Sequence, residues 1–124
     1  MPKLDNGVNK VRSFIEKEKF KGYDPYDTLN TFLPIDKMGK WVSAIAIQIQ
    51  KRNPVNIRPL LGIKKEINPK SHGLLLYAYS LQYEMTKDEK TKETMEELFN
   101  WLINNYSKGY SGYCWGYNFG WANP

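Results

Sequence analysis

One cysteine and one histidine are all that this 124-residue chain offers for thiol or imidazole chemistry. With Cys114 alone, neither an internal disulfide nor a cysteine-based zinc cluster can form, and a reducing compartment suits it. His72 has no second histidine to share a metal with, and the carboxylates show no recognisable ligand spacing. No stretch approaches the ~18 consecutive apolar residues of a membrane-spanning helix. The opening MPKLDNGVNKVRS lacks the apolar core of a signal peptide. Walker loops, dinucleotide fingerprints and nucleophile elbows are missing as well. These absences leave no metal and no cofactor to expect, and they make the cytoplasm the default location.

What is present is enough for a folded domain. Apolar residues make up 41% of the chain and aromatic residues 15%, which excludes global disorder. The length fits one domain, residues 1–124, or part of one. The net charge of +5 comes from lysines scattered among glutamates and aspartates, a pattern that describes a solvated surface. No arginine-rich stripe or helix-turn-helix pattern accompanies it, so nucleic acid is not the favoured partner.

The periodicity is helical almost throughout. Leu4, Val8, Val11, Ile15 and Phe20 recur at three- and four-residue steps, with Gly22 as the stop signal. A second helix is expected from about Asp36 to Arg52, with Trp41, Ala44, Ile45 and Gln48 on one face. Ile47 and Ile49 widen that face, which predicts burial on more than one side. Pro54 and Pro59 bound an irregular segment with one helical turn around Leu60–Ile63. Asn68-Pro69 is an N-cap followed by proline at the first helical position. The third helix then carries Leu74, Leu75, Leu76, Tyr77, Ala78, Leu81 and Met85. A fourth starts after Asp88, carries Met95, Leu98, Phe99, Leu102 and Ile103, and ends near Lys108-Gly109. The short polar link between the last two predicts an antiparallel helical hairpin, and the fold class is all-α.

Three loops carry polar and aromatic residues that helix packing does not explain. In the first, Tyr23 to Asn30, Asp24 and Asp27 stand beside Tyr23 and Tyr26. The two carboxylates suit either hydrogen bonding to sugar hydroxyls and acid–base work, or an ordinary turn and helix cap. In the second, Asn53 to Gly62, Arg58 suits a pairing with Asp24 or Asp27, or with an anionic ligand. The third is GYSGYCWGYNFGWANP, in which rings alternate with glycine. Rings so placed suit stacking on sugar faces, with Asn118 and tyrosine hydroxyls giving direction, or else they plug a helical core. About half of them are expected to be packing residues. His72, in the first turn of the third helix, reads as a cap or surface contact, and Cys114 as passive packing.

The segments GYDPYDTLN, KRNPVNIRPLLGI, NPKSHGLLLYAYS and GYSGYCWGYNFGW, in this order, resemble the start of a family of larger bacterial and archaeal α/α-toroid proteins. Members often accompany surface-polysaccharide biosynthesis. The resemblance covers nearly the whole chain after Lys21. It implies a ring of helical hairpins, similar to six-hairpin glycosidases and terpenoid cyclases, with loops converging on a central cavity. The positions matching the distinctive loops are Asp24, Tyr26, Asp27, Asn30, Asn56, Arg58, Trp115, Tyr117, Asn118 and Trp121. Gly120 departs from the pattern, because an aspartate or proline is more usual there. Length departs too, since family members are several times longer, so the chain reads as an N-terminal fragment of such a toroid.

The resulting expectation is a carbohydrate-handling protein of polysaccharide biosynthesis, incomplete on its own. Asp24 and Asp27 are the candidate catalytic acids, and Tyr26, Asn30, Asn56, Arg58, Trp115, Tyr117, Asn118 and Trp121 the candidate saccharide contacts. The alternative is a non-catalytic helical scaffold whose exposed faces are completed by self-association or by a partner chain.

Overall fold

The computed structural model describes residues 2–120, and their side chains from residue 6 onward. Four α-helices carry the fold: α1 (Pro2–Lys17), α2 (Lys40–Arg52), α3 (Pro69–Thr86) and α4 (Glu89–Asn104). Three single 3-10 turns, Asp27–Asn30, Ile35–Met38 and Arg58–Leu61, interrupt the long connections. Among the described residues there is no strand, only one isolated antiparallel bridge between Gly22 and Glu66. The all-α expectation holds. The chain divides into two compact units, one running to Glu66 and including the segment from Asn118, the other Ile67–Tyr117.

In the first unit, α1 ends earlier than its glycine suggests. Lys19 and Phe20 both adopt left-handed backbone, φ 52° and 59°, and turn the chain before Gly22 is reached. The amide of Phe20 donates to the Ile15 carbonyl at 3.0 Å, which satisfies one of the helix's last acceptors. Gly22 instead exchanges two backbone hydrogen bonds of 3.0 Å with Glu66. The second helix also begins later than Asp36. Residues Ile35–Met38 form a 3-10 turn, and Gly39 at φ 98° breaks the path before α2 starts at Lys40. A left-handed glycine cannot propagate a right-handed helix, which is why the two segments do not merge.

α2 also buries a different face from the one its apolar pattern suggests. Ser43, Ile47 and Gln50 are buried, while Trp41, Ile45 and Ile49 stay exposed. The Ser43 hydroxyl donates to the Ile35 carbonyl at 3.0 Å and docks the preceding turn onto the helix. The fully buried residues of this unit are therefore mostly polar: Asp27, Thr28, Ser43 and Gln50 against Ile47 and Ile63. The turn expected around Leu60–Ile63 lies slightly earlier, at Arg58–Leu61, and is closed by Gly62 in left-handed conformation at φ 71°. A Cβ at Gly62 would approach the Phe32 ring to 3.0 Å, so this position needs glycine for space as well as for backbone.

The second unit follows its capping signals closely. The Asn68 side chain accepts from the Lys70 amide at 2.9 Å, and Pro69 occupies the first helical position of α3. Asp88 caps α4, accepting from the Thr91 amide at 2.9 Å and from its hydroxyl at 2.7 Å. Only Lys87 and Asp88 separate the two helices, which pack against each other. Tyr79, Leu98 and Leu102 are the buried apolar residues, with His72 and Thr91 buried among them. α4 stops at Asn104, four residues short of Lys108, and two of its last carbonyls accept from side chains. The Asn105 amide group donates to the Trp101 carbonyl at 2.8 Å, and the Trp115 indole to that of Leu102 at 2.9 Å.

Lys87 ends α3 at φ 53°, a conformation that costs a side-chain-bearing residue about 1 kcal/mol. Lys87→Gly is therefore expected to raise stability by about 0.5–1 kcal/mol in urea denaturation. Gly62→Ala is expected to lower it by at least as much. A stabilised alanine variant would contradict the close contact with Phe32.

Candidate functional site

The carboxylates and the arginine singled out in the sequence meet in one cluster. Arg58 Nε donates to both Asp27 oxygens, at 2.8 and 3.1 Å, and its Nη2 donates to the Asp24 carbonyl at 3.2 Å. The Asp27 Oδ2 also accepts from the Asp24 amide at 3.1 Å. Asp24 in turn accepts from the Tyr26 amide at 2.9 Å, the side-chain turn that an Asp-Pro-Tyr segment favours. Asn56 does the same for the Arg58 amide at 3.3 Å and so sets the arginine at the start of its 3-10 turn. Of the sequence alternatives, the ordinary turn and the Arg58–Asp27 pairing describe this geometry.

The side chains of this pair are 14% and 6% exposed, so both charges are largely out of water. Burial pushes the Asp27 carboxyl above its ordinary value; the Arg58 guanidinium and the Asp24 amide pull it back only in part. Around the pair lies a basic, aromatic shell. The Arg58 guanidinium sits 5.5 Å from the Tyr23 ring centre, and the Lys65 ammonium 5.8 Å from the same ring. Lys51 donates to the Tyr26 hydroxyl at 2.6 Å and lies 4.5 Å from its ring centre. Asn30 and Asn118 also meet: the Asn30 amide group donates to the Asn118 carbonyl at 3.1 Å. The Asn118 amide group donates to a Glu66 carboxylate oxygen. Both asparagines thus tie the segment from Asn118 to the first unit.

Trp115 and Tyr117 belong to the second unit, where an open cavity of about 240 Å³ is lined by Pro69, Lys70, Trp115, Gly116 and Tyr117. The loop carrying them is closed on itself by Ser107. Its amide donates to the Cys114 carbonyl at 2.8 Å, and its hydroxyl accepts from the Gly116 amide at 3.3 Å. Tyr106 and Tyr113 meet edge to face with ring centres 4.9 Å apart. The expectation that half of the loop's rings are packing residues does not hold for the described residues. Tyr110, Tyr113, Trp115 and Tyr117 are exposed and Phe119 is half-buried, whereas Trp121 lies outside the described residues. Cys114 is half-buried, and its Sγ donates to the Ser107 carbonyl at 3.9 Å.

His72 corrects its sequence reading. It is 2% exposed and packs against Trp101, ring centres 4.7 Å apart, as part of the second unit's interior and not its surface. Burial lowers its pKa below the ordinary imidazole value. Lys70 is the residue the sequence reading missed at the cavity. Its one signal was its place directly after the Asn68-Pro69 start of α3. Among the described residues no group of histidine, cysteine or carboxylate side chains is arranged to hold a metal ion, and no helix is long and apolar enough to cross a membrane. Comparison of the chain with protein-family models, curated proteins and solved structures found no match.

Removing the guanidinium would strand a buried carboxyl, so Arg58→Ala is expected to cost about 3–5 kcal/mol of stability. The pH dependence has a defined sign. The folded pKa of Asp27 lies above the unfolded one, so the native state holds the proton more readily. Its stabilising contribution is complete below the usual carboxylate range and is lost as pH rises through the raised value. Denaturation of the wild type and Asp27→Asn between about pH 3 and pH 7 measures this. The wild type's advantage is expected to shrink with rising pH, and an advantage that grows would mean that the ion pair outweighs burial.

Proposed function

We propose that the protein binds a saccharide through the cavity beside the start of α3, as a cytoplasmic component of polysaccharide assembly. The observation that carries this reading is the union of two exposed rings, Trp115 and Tyr117, with the Lys70 side chain around one open cavity. Flat rings complement the C–H faces of a pyranose, and a lysine complements a carboxylate or phosphate on it. A protein-held indole is a ready stacking surface, because its N–H is already committed to the Leu102 carbonyl. Binding in place of catalysis is favoured by Asp27, whose two oxygens are engaged by Arg58 and the Asp24 amide. The packed pair α3–α4 is read as one hairpin of an α/α toroid, in keeping with the family resemblance.

A second reading is a non-catalytic helical scaffold completed by another chain. It is favoured by the apolar side chains left exposed on α2 and α3, among them Trp41, Ile45, Leu74 and Met85.

Calorimetric titration with neutral and uronic-acid-containing oligosaccharides tests the first reading. Binding is expected to be stronger for the acidic glycans and to weaken about tenfold, or 1.4 kcal/mol, in Trp115→Ala. Lys70→Ala is expected to remove the preference for acidic glycans while keeping neutral binding. Absence of heat with every glycan, or full affinity in Trp115→Ala, would remove the cavity from consideration.

A further inference from the structure

α3 is apolar on two opposite sides. One side, with His72 and Tyr79, is buried in the unit that α4 completes. On the other, Leu74, Tyr77, Leu81 and Met85 are exposed by 63%, 64%, 45% and 85%, and Ala78 is exposed among them. Their spacing of three and four residues makes one continuous stripe. A helix apolar on two opposite sides suits cover on both.

We propose that this stripe pairs with the same stripe of a second copy of the chain, the two α3 helices running antiparallel about a two-fold axis between Tyr77 and Ala78. The proposal rests on the scaffold reading, to which it gives the partner and the register. The stripe is self-complementary when reversed. Leu74 then meets Leu81 of the other copy, Tyr77 meets Ala78, and that small residue beside the axis lets the backbones approach. Charge fixes the direction. Lys70 at one end and Glu84 at the other are exposed, lie on the same flank of the stripe, and form no salt bridge among the described residues. In an antiparallel pair each lysine faces the other copy's glutamate, twice per dimer. In a parallel pair lysine faces lysine and glutamate faces glutamate. α2 has an exposed stripe too, but both of its ends are basic, Lys40 at one and Lys51 and Arg52 at the other. Reversed copies of α2 would therefore repel.

Sedimentation equilibrium of the full chain tests the pairing, with circular dichroism to confirm that each variant is folded. The wild type is expected to be a dimer and Leu81→Glu a folded monomer. Glu84→Lys, at an exposed position away from the saccharide cavity, is expected to weaken the dimer about tenfold. Adding Lys70→Glu to Glu84→Lys is expected to restore it. A monomeric wild type overturns the pairing and leaves the scaffold reading to a different partner chain. A dimer indifferent to Leu81→Glu and Glu84→Lys overturns the pairing while keeping self-assembly through another face. Failure of the double charge exchange to restore the dimer overturns the antiparallel register.

Discussion

The first unit depends on a charge pair taken out of water. Ile47 and Ile63 are its only buried apolar residues among those described, too few for hydrophobic burial to define how its loops lie. The Arg58–Asp27 pair defines it instead. A guanidinium presents a planar fork of donors, and here the fork is divided between a carboxylate and the Asp24 carbonyl. That division makes one side chain hold two points of a loop 31–34 residues away in sequence. Other ties act in the same direction. The Thr31 hydroxyl donates to the Leu61 carbonyl at 2.9 Å, and Gly22 pairs with Glu66. Each is modest alone, and together they supplement the few fully buried apolar side chains of the unit.

A buried ion pair recovers its desolvation cost only when the geometry is good and the remaining polar atoms are partnered. Both oxygens of Asp27 are partnered, yet burial still dominates its proton affinity. Burial thus biases the carboxyl toward its neutral form, and the Arg58 guanidinium opposes that bias only in part.

Legibility in the sequence followed the range of the interactions involved. The starts of α3 and α4 were plain because Asn68-Pro69 and Asp88 act within one helical turn, and the chain uses both as the local chemistry suggests. The start of α2 was obscured because the apolar pattern continues across Gly39, and only its φ of 98° separates a 3-10 turn from the helix. Gly22 appeared to end α1, but two residues with side chains make the turn, a conformation that no composition rule favours. The Arg58–Asp27 contact was legible as one of several pairings, since charge names the partners and topology selects among them. Helical periodicity reported that α2 and α3 are apolar on wide arcs, not which arc is covered. Hence the burial of Ser43 and Gln50 in place of Trp41 and Ile45, and of His72 in the interior, was not visible in the pattern.

The aromatic loop poses the opposite problem, because exposure there is sustained by order. Free glycine-rich chain with large rings would gain by collapsing its apolar surface onto itself. In residues 107–116 the collapse is limited by two hydrogen bonds to Ser107 and by the indole N–H held at the end of α4. These bonds fix the backbone while leaving Tyr113, Trp115 and Tyr117 facing outward. The conformational entropy of the loop is therefore lost on folding, before any ligand arrives. A ligand meeting rings already set in place has less ordering left to offset, and can bind through a small contact area. Rings held open on an ordered backbone are the physical basis of the binding role proposed for this loop.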